Sequence, residues 1–403
     1  MIFLINCSGN RRFLAYCLFA ALLSGCAAPP VTGPGGKRTP LPLNTGAAAG
    51  LNSLIAVMPL ENLTGMSVAG QVLRNRLLQD LKRKGLNILG DDVLEKFMER
   101  HRVRYTGGLN RELGEALREE TGTNAVLFQT LELLDDTVPP KAALFARLVS
   151  THRSGDILWA DSTGLAGNDA PGLLLLGLIN DPAILWNKAM GQIVESLMTY
   201  LTGKSTKDPR KAEKRFLPKS FHGVPPKVLA GKETLSIAVL PFRNESTRKF
   251  AGEILSLHFM RELSKTGHFN VVEIGEVRQV LLRSRTIMEG GLSLPQADIL
   301  HAALDVDLVL TGFVMDYQEN IAGFGSPKVE FSARVFDMKT RQIVWSSFSY
   351  NEGDDGVFFF GLGKVNTAHG IASGMVRSTV GKMEAKFKLK KDHLEVENRS
   401  GTR

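Results

Sequence analysis

The sequence predicts an α/β protein built from two tandem copies of a helix-covered mixed sheet, an α/β sandwich, behind a signal peptide and a flexible tether. Three observations predict it. The body of the chain matches itself at a nearly constant offset, each copy shows the same order of strand and helix periodicities, and a short apolar run near the amino terminus ends at a cysteine. The length of 403 residues exceeds what one core ordinarily spans. At 43% hydrophobic and 22% charged residues the composition is globular, which excludes wholesale disorder.

Arg11 and Arg12 precede the apolar run Phe13 to Leu23, which is about half of the ~20 residues a spanning helix needs. It reads as the core of a signal peptide, residues 1–25. The following Leu23-Ser24-Gly25-Cys26 resembles the bacterial lipobox. That resemblance implies cleavage before Cys26 and acylation of its thiol, and Ala27 implies sorting to the outer membrane. Lipid chains contribute ~0.8 kcal/mol per buried methylene, so Cys26 would hold the protein on a membrane without spanning it. Residues 26–50 are rich in proline and glycine (Pro29, Pro30, Pro34, Pro40, Pro42) and form the tether.

The first copy is expected over 51–203 and the second over 235–386, with a charged tail at 387–403. Leu54-Ile55-Ala56-Val57-Met58-Pro59 returns as Ser236-Ile237-Ala238-Val239-Leu240-Pro241, and Gly107-Gly108-Leu109-Asn110 returns as Gly290-Gly291-Leu292-Ser293. Ile157-Leu158-Trp159 returns as Ile343-Val344-Trp345. One order and one slowly drifting offset mean a duplicated domain, the period being too long for a solenoid. In each copy a β-branched strand stops at proline, which cannot donate to the next ladder bond. An amphipathic helix follows, carried by Val72, Leu73, Leu77, Leu78 and Leu81 or by Ile254, Leu255, Leu257, Phe259 and Leu263, and ends at Gly85 or Gly267. A short strand (Leu86–Leu89; Phe269–Glu273) leads to two helices, beginning near Asp91 or Gly275 and at Asn110 or at Ser293/Pro295. Three strands close the unit, at about 124–133, 142–151 and 156–162 and again at 307–318, 328–337 and 342–350, before a last helix near 183–202 or 366–386. Residues 204–234, basic and proline-containing, read as a linker.

The opening Ile237-Ala238-Val239-Leu240-Pro241-Phe242, with Asn244 and Ser246, the strand with Asp305-Val306-Asp307-Leu308-Val309-Leu310-Thr311-Gly312 and the hairpin ending Ile343-Val344-Trp345 resemble a bacterial periplasmic domain family. That family includes the curli-secretion lipoprotein, the lipoprotein activators of penicillin-binding proteins and the amino-terminal domain of TolB. The resemblance implies a non-enzymatic envelope protein that works by binding a partner. Two departures count against a curli-type channel: the chain carries two such domains where one is usual, and loops 134–141 and 319–327 are too short for membrane hairpins needing ~9–11 residues per strand.

Candidate chemistry is sparse. The only cysteines are Cys7, Cys17 and Cys26, so the body has no disulfide or thiolate metal site. Gly361-Leu362-Gly363-Lys364 lacks the Walker spacing, and neither Gly-x-Ser-x-Gly nor His-Glu-x-x-His occurs. The histidines, among them His101, His152, His222, His258, His268, His301 and His369, stand singly with no i, i+4 pair, so neither metal nor cofactor is expected. Asp135-Asp136 and Asp354-Asp355 read as surface turns, Trp159 and Trp345 as sheet residues, and Asn62 and Asn244 as helix caps. Net charge +8 suits anionic headgroups and cell-wall carboxylates, not nucleic acid, in an anchored envelope protein. The glycine-flanked runs containing Leu174, Leu175 and Leu176, and Phe358, Phe359 and Phe360, have two readings: buried packing, or an exposed interaction patch for self-association or membrane contact. The sequence thus predicts an outer-membrane lipoprotein binding another envelope component as an assembly or regulatory factor, the alternative being an oligomeric secretion or export-channel component.

Overall fold

The computed structural model describes residues 50–152, 155–170, 177–203, 213–229, 232, 234–285, 294–320, 325–357 and 363–387. Cys26, Leu174, Leu175, Leu176, Phe358, Phe359 and Phe360 lie outside the described residues.

In the first repeat, β1 (Ile55–Val57) runs parallel to β3 (Ala125–Asp135), which continues antiparallel through β4 (Lys141–Ser150) and β5 (Ile157–Ala166). The proline that ends β1 only interrupts the pairing, because β2 (Glu61–Asn62) resumes it farther along β3. Helices α1 (Gly70–Arg83) and α4 (Pro182–Leu201) cover one face of this sheet, through Leu77, Leu81, Leu185, Ala189, Ile193 and Leu197. Their apolar residues recur at i, i+3 and i+4, the spacing of a one-sided helix. Helices α2 (Asp91–Arg100) and α3 (Arg111–Thr121) cover part of the other face through Leu94, Phe97 and Leu117. As the sequence predicts, Asn110 caps α3, its side chain accepting from the Leu113 amide at 3.1 Å, and Gly122 stops it at φ +74.

The second repeat repeats the plan. β7 (Leu235–Val239) and β8 (Arg243–Asn244) run parallel to β10 (Leu308–Gln318), followed by β11 (Lys328–Asp337) and β12 (Gln342–Glu352). Helices α5 (Ala251–Thr266) and α8 (Ala368–Phe387) cover one face, and α6 (Ile274–Arg283) and α7 (Leu294–Leu304) the other. β9 (Phe269–Val271) pairs with β7, whereas its counterpart in the first copy is reduced to a single bridge between Ile55 and Ile88. Part of the stretch read as a linker joins this sheet: Phe216 is buried in its core, and β6 (Ser220–Gly223) adds antiparallel to the free edge of β12. Trp345 packs there, stacked on Phe221 at 5.6 Å.

The duplication extends to irregularities. The β3–β4 register skips Glu132 and the β10–β11 register skips Met315, while β4–β5 skips Leu158 and β11–β12 skips Val344. Each pair of bulges falls at the offset of the repeat, so the kinks that re-aim side chains were duplicated with the strands.

Besides the strand expected at Leu86–Leu89, which is only the bridge between Ile55 and Ile88, a further expectation is corrected. Asn62 and Asn244 do not cap helices; each closes a turn, its side-chain oxygen accepting from the amide two residues on (Thr64 at 2.9 Å, Ser246 at 3.0 Å). The helices start later, after Ala69 and after Phe250, which adopts φ +61. A short polar side chain satisfies its own turn before it can reach a helix amide several residues away.

Candidate functional site: the seam between the repeats

The repeats differ most where they meet. On β4 the apolar run Ala142-Ala143-Leu144-Phe145-Ala146 is buried on both faces, while β11 alternates buried and partly exposed residues. The reason is α5, which lies between the two sheets: Leu63, Phe145 and Ala160 of the first repeat join the core that α5 and α8 build on the second sheet. The described residues thereby belong to one compact unit.

The seam carries charge in three places. At one end Arg147, 2% exposed, donates to both Glu273 oxygens, with Nη2 to Oε1 at 2.8 Å, donates also to the Gly107 carbonyl, and lies over the Phe128 ring. The double glycine is needed here: a Cβ on Gly108 would come within 2.7 Å of the Gly275 amide nitrogen, and one on Gly275 within 2.2 Å of that of Leu109. Glu61 lies nearby, accepting from Thr130 at 2.7 Å, and burial raises its carboxyl above the ordinary value despite that bond and Arg147.

At the other side Asp161 on β5 accepts from Arg261 at 2.7 Å and Lys265 at 3.1 Å on α5, and from Ser196 at 2.6 Å on α4. Burial alone would raise this carboxyl, yet Arg261, Lys265 and Ser196 override it and hold it well below its ordinary range.

A third cluster lies farther along the strands. Glu132, set at the β3 bulge and 1% exposed, accepts from the Tyr317 hydroxyl through Oε1 and lies 2.5 Å from His369 Nδ1 through Oε2. His258 Nε2 on α5 stands 4.0 Å from the same Oε2, and the two imidazole centroids are 4.7 Å apart. Phe145 packs against both rings, and Ser162 Oγ sits 3.2 Å from His369 Nε2. Arg248 ties the seam over this cluster, donating to the Thr64 and Glu132 carbonyls at 2.6 Å each. Burial first, then the neighbouring His369, Arg261 and Arg377, hold His258 well below its usual value, so it is neutral. Among the described residues neither of its ring nitrogens has a hydrogen-bond partner. An unsatisfied buried polar group ordinarily costs about 1–3 kcal/mol, which makes His258 the least explained side chain of the seam.

Sequence spacing did not reveal this cluster, since its members come from β3, α5 and α8. Of the other candidates, Trp159 and Trp345 are buried as expected, and Asp135 and Asp355 accept from turn groups, Asp135 from Thr137 and Asp355 from the Glu352 amide. The described histidines other than His258 and His369 remain apart from the cluster. No described helix is long and apolar enough to cross a membrane.

No protein-family model matches the sequence, nor does any curated protein. Solved structures similar to parts of the chain include a PelC dodecamer from Paraburkholderia phytofirmans (14% identity, 42% of this chain and 96% of that one, TM-score 0.29). Another is the lipoprotein GNA1162 from Neisseria meningitidis (22% identity, 36% and 99%, TM-score 0.26). A third is the carboxy-terminal domain of LpoB from Salmonella enterica (15% identity, 30% and 86%, TM-score 0.25).

Proposed function

We propose that this chain is a lipoprotein, anchored through Cys26 to the periplasmic face of the outer membrane, that binds another envelope component as an assembly or regulatory factor and performs no chemistry on it. The observation that carries the reading is the lipobox-like Leu23-Ser24-Gly25-Cys26 behind its apolar run. The seam supports it: Arg147, Glu273, Asp161, Arg261, Glu132 and His369 pair across the two sandwiches, whose described residues belong to one compact unit. Replacing Cys26 with Ala removes the thiol at the cleavage site, so the protein should leave the membrane fraction or stall unprocessed. Unchanged fractionation and processed mass would refute the anchor, and crosslinking in intact cells then identifies the partner. The second reading, an oligomeric export-channel component, draws on the apolar runs at 173–179 and 357–362. Ring-shaped particles in detergent favour it; a monomer favours the binding factor.

A further inference from the structure

We propose that Glu132, His258 and His369 form a metal site, suited to zinc, that clasps the two repeats together. The ligands come from both sides of the seam: Glu132 from β3 of the first repeat, His258 and His369 from α5 and α8 of the second. One donor atom from each lies within 4.8 Å of the others, and all three side chains are buried. Two imidazoles and a carboxylate suit zinc or a neighbouring transition metal, and not calcium or magnesium, which take oxygen ligands.

The geometry fits with small adjustment. Ligand bonds of ~2.0–2.2 Å around a tetrahedral ion put donors about 3.4 Å apart. The observed 2.5 Å from Glu132 to His369 and 4.0 Å from Glu132 to His258 straddle that value. An ion between them would give the unpartnered His258 nitrogen the bond it lacks. The surroundings are those of a prepared ligand set. Tyr317 holds Glu132 Oε1 and leaves Oε2 facing the histidines, Ser162 stands behind His369 Nε2, and Phe145 keeps one side apolar. Hydrogen bonds behind a ligand fix its tautomer and orientation. Because docking of the repeats assembles the site, loading it and closing the seam are one equilibrium.

The test uses the full chain, extracted in detergent, stripped by chelator, and titrated with zinc and separately with cobalt(II). The expected result is one zinc per chain retained through gel filtration, a raised melting temperature, and a visible ligand-field band with cobalt. His258→Gln should weaken binding by more than the 10–100-fold typical of losing a group behind a ligand, and should abolish the cobalt band. Tyr317→Phe removes no ligand and should keep the band. Should His258→Gln not fold, Glu132→Gln, isosteric and still able to accept from Tyr317, serves in its place. A native chain that takes up neither ion overturns the proposal, and so do ions bound equally by the native chain and the ligand variant.

Discussion

Arg147 and Glu273 form an ion pair in which neither side chain is more than 3% exposed, joining an inner strand of the first repeat to the residue that opens α6 of the second. A pair so buried is held by geometry more than by net Coulomb gain, and the damage comes from breaking it on one side only. Arg147→Met, which strands the Glu273 carboxylate, should cost about 3–5 kcal/mol in chemical denaturation. Adding Glu273→Leu should recover most of that loss; a double variant as unstable as the single one would show that the pair is not the coupled unit described.

The glycines of the seam give a steric test. Gly275→Ala places a Cβ 2.2 Å from the Leu109 nitrogen, so the melting temperature should drop sharply, and Gly108→Ala should behave likewise. Gly191, inside α4, is the control, because a Cβ added there would meet nothing within 4 Å. At that position alanine should be neutral or stabilising by up to about 1 kcal/mol, through helix propensity. Equal effects at Gly275 and Gly191 would contradict the close approach.

Asp161 predicts a pH dependence of definite sign. Its carboxyl is held below the ordinary 3.8, so its contribution is complete above that value and is lost as the pH falls through the folded-state value. Glu61 and Glu319, raised by burial, push the other way, so the difference between native and Asp161→Asn proteins is the readout. That difference in unfolding free energy should be larger at pH 7 than at pH 3. A constant difference would mean that Arg261 and Lys265 do not bias the titration.

Proteolysis tests whether the seam holds by itself. Lys204, Lys207, Arg210, Lys211 and Lys214 offer trypsin sites between the repeats, and one cleavage there should leave two resistant halves. The ion pairs at Arg147, Asp161 and Glu132 should keep the halves together on a sizing column. Halves that separate without denaturant would mean the seam is too weak to act as one body.

Phe359→Asp decides between the two readings of the second apolar run. Buried, the charge should cost several kcal/mol, since an unpaired ion is poorly tolerated in a core. If the run is an interaction patch, the melting temperature should stay while self-association or membrane recovery falls.

Much of the fold was legible because duplication writes the same periodicities twice. Strand and helix order, the stops at Gly85 and Gly267 and the cap at Asn110 all follow from local chemistry. The seam was less legible because it depends on how two copies face one another. Its traces lie where the copies differ: Glu132 interrupts Leu131-Glu132-Leu133-Leu134, and β4 reads Ala143 and Phe145 where β11 reads Glu330 and Ser332. His258 stands likewise in an otherwise apolar Leu257-His258-Phe259. A charged or polar residue inside such a run marks a partner that sequence distance conceals, here 237 residues from Glu132 to His369.

The two-sided burial of β4 has a consequence for the order in which the chain is made. Synthesis completes residues 51–203 before α5 and α8 exist, so the face bearing Leu63, Phe145 and Ala160 waits for a cover encoded downstream. At ≈ 5–20 residues per second that interval is roughly 10–40 s, long beside the time a small sheet needs to collapse. The half that is made first is therefore the one whose sheet face is completed only by residues made later.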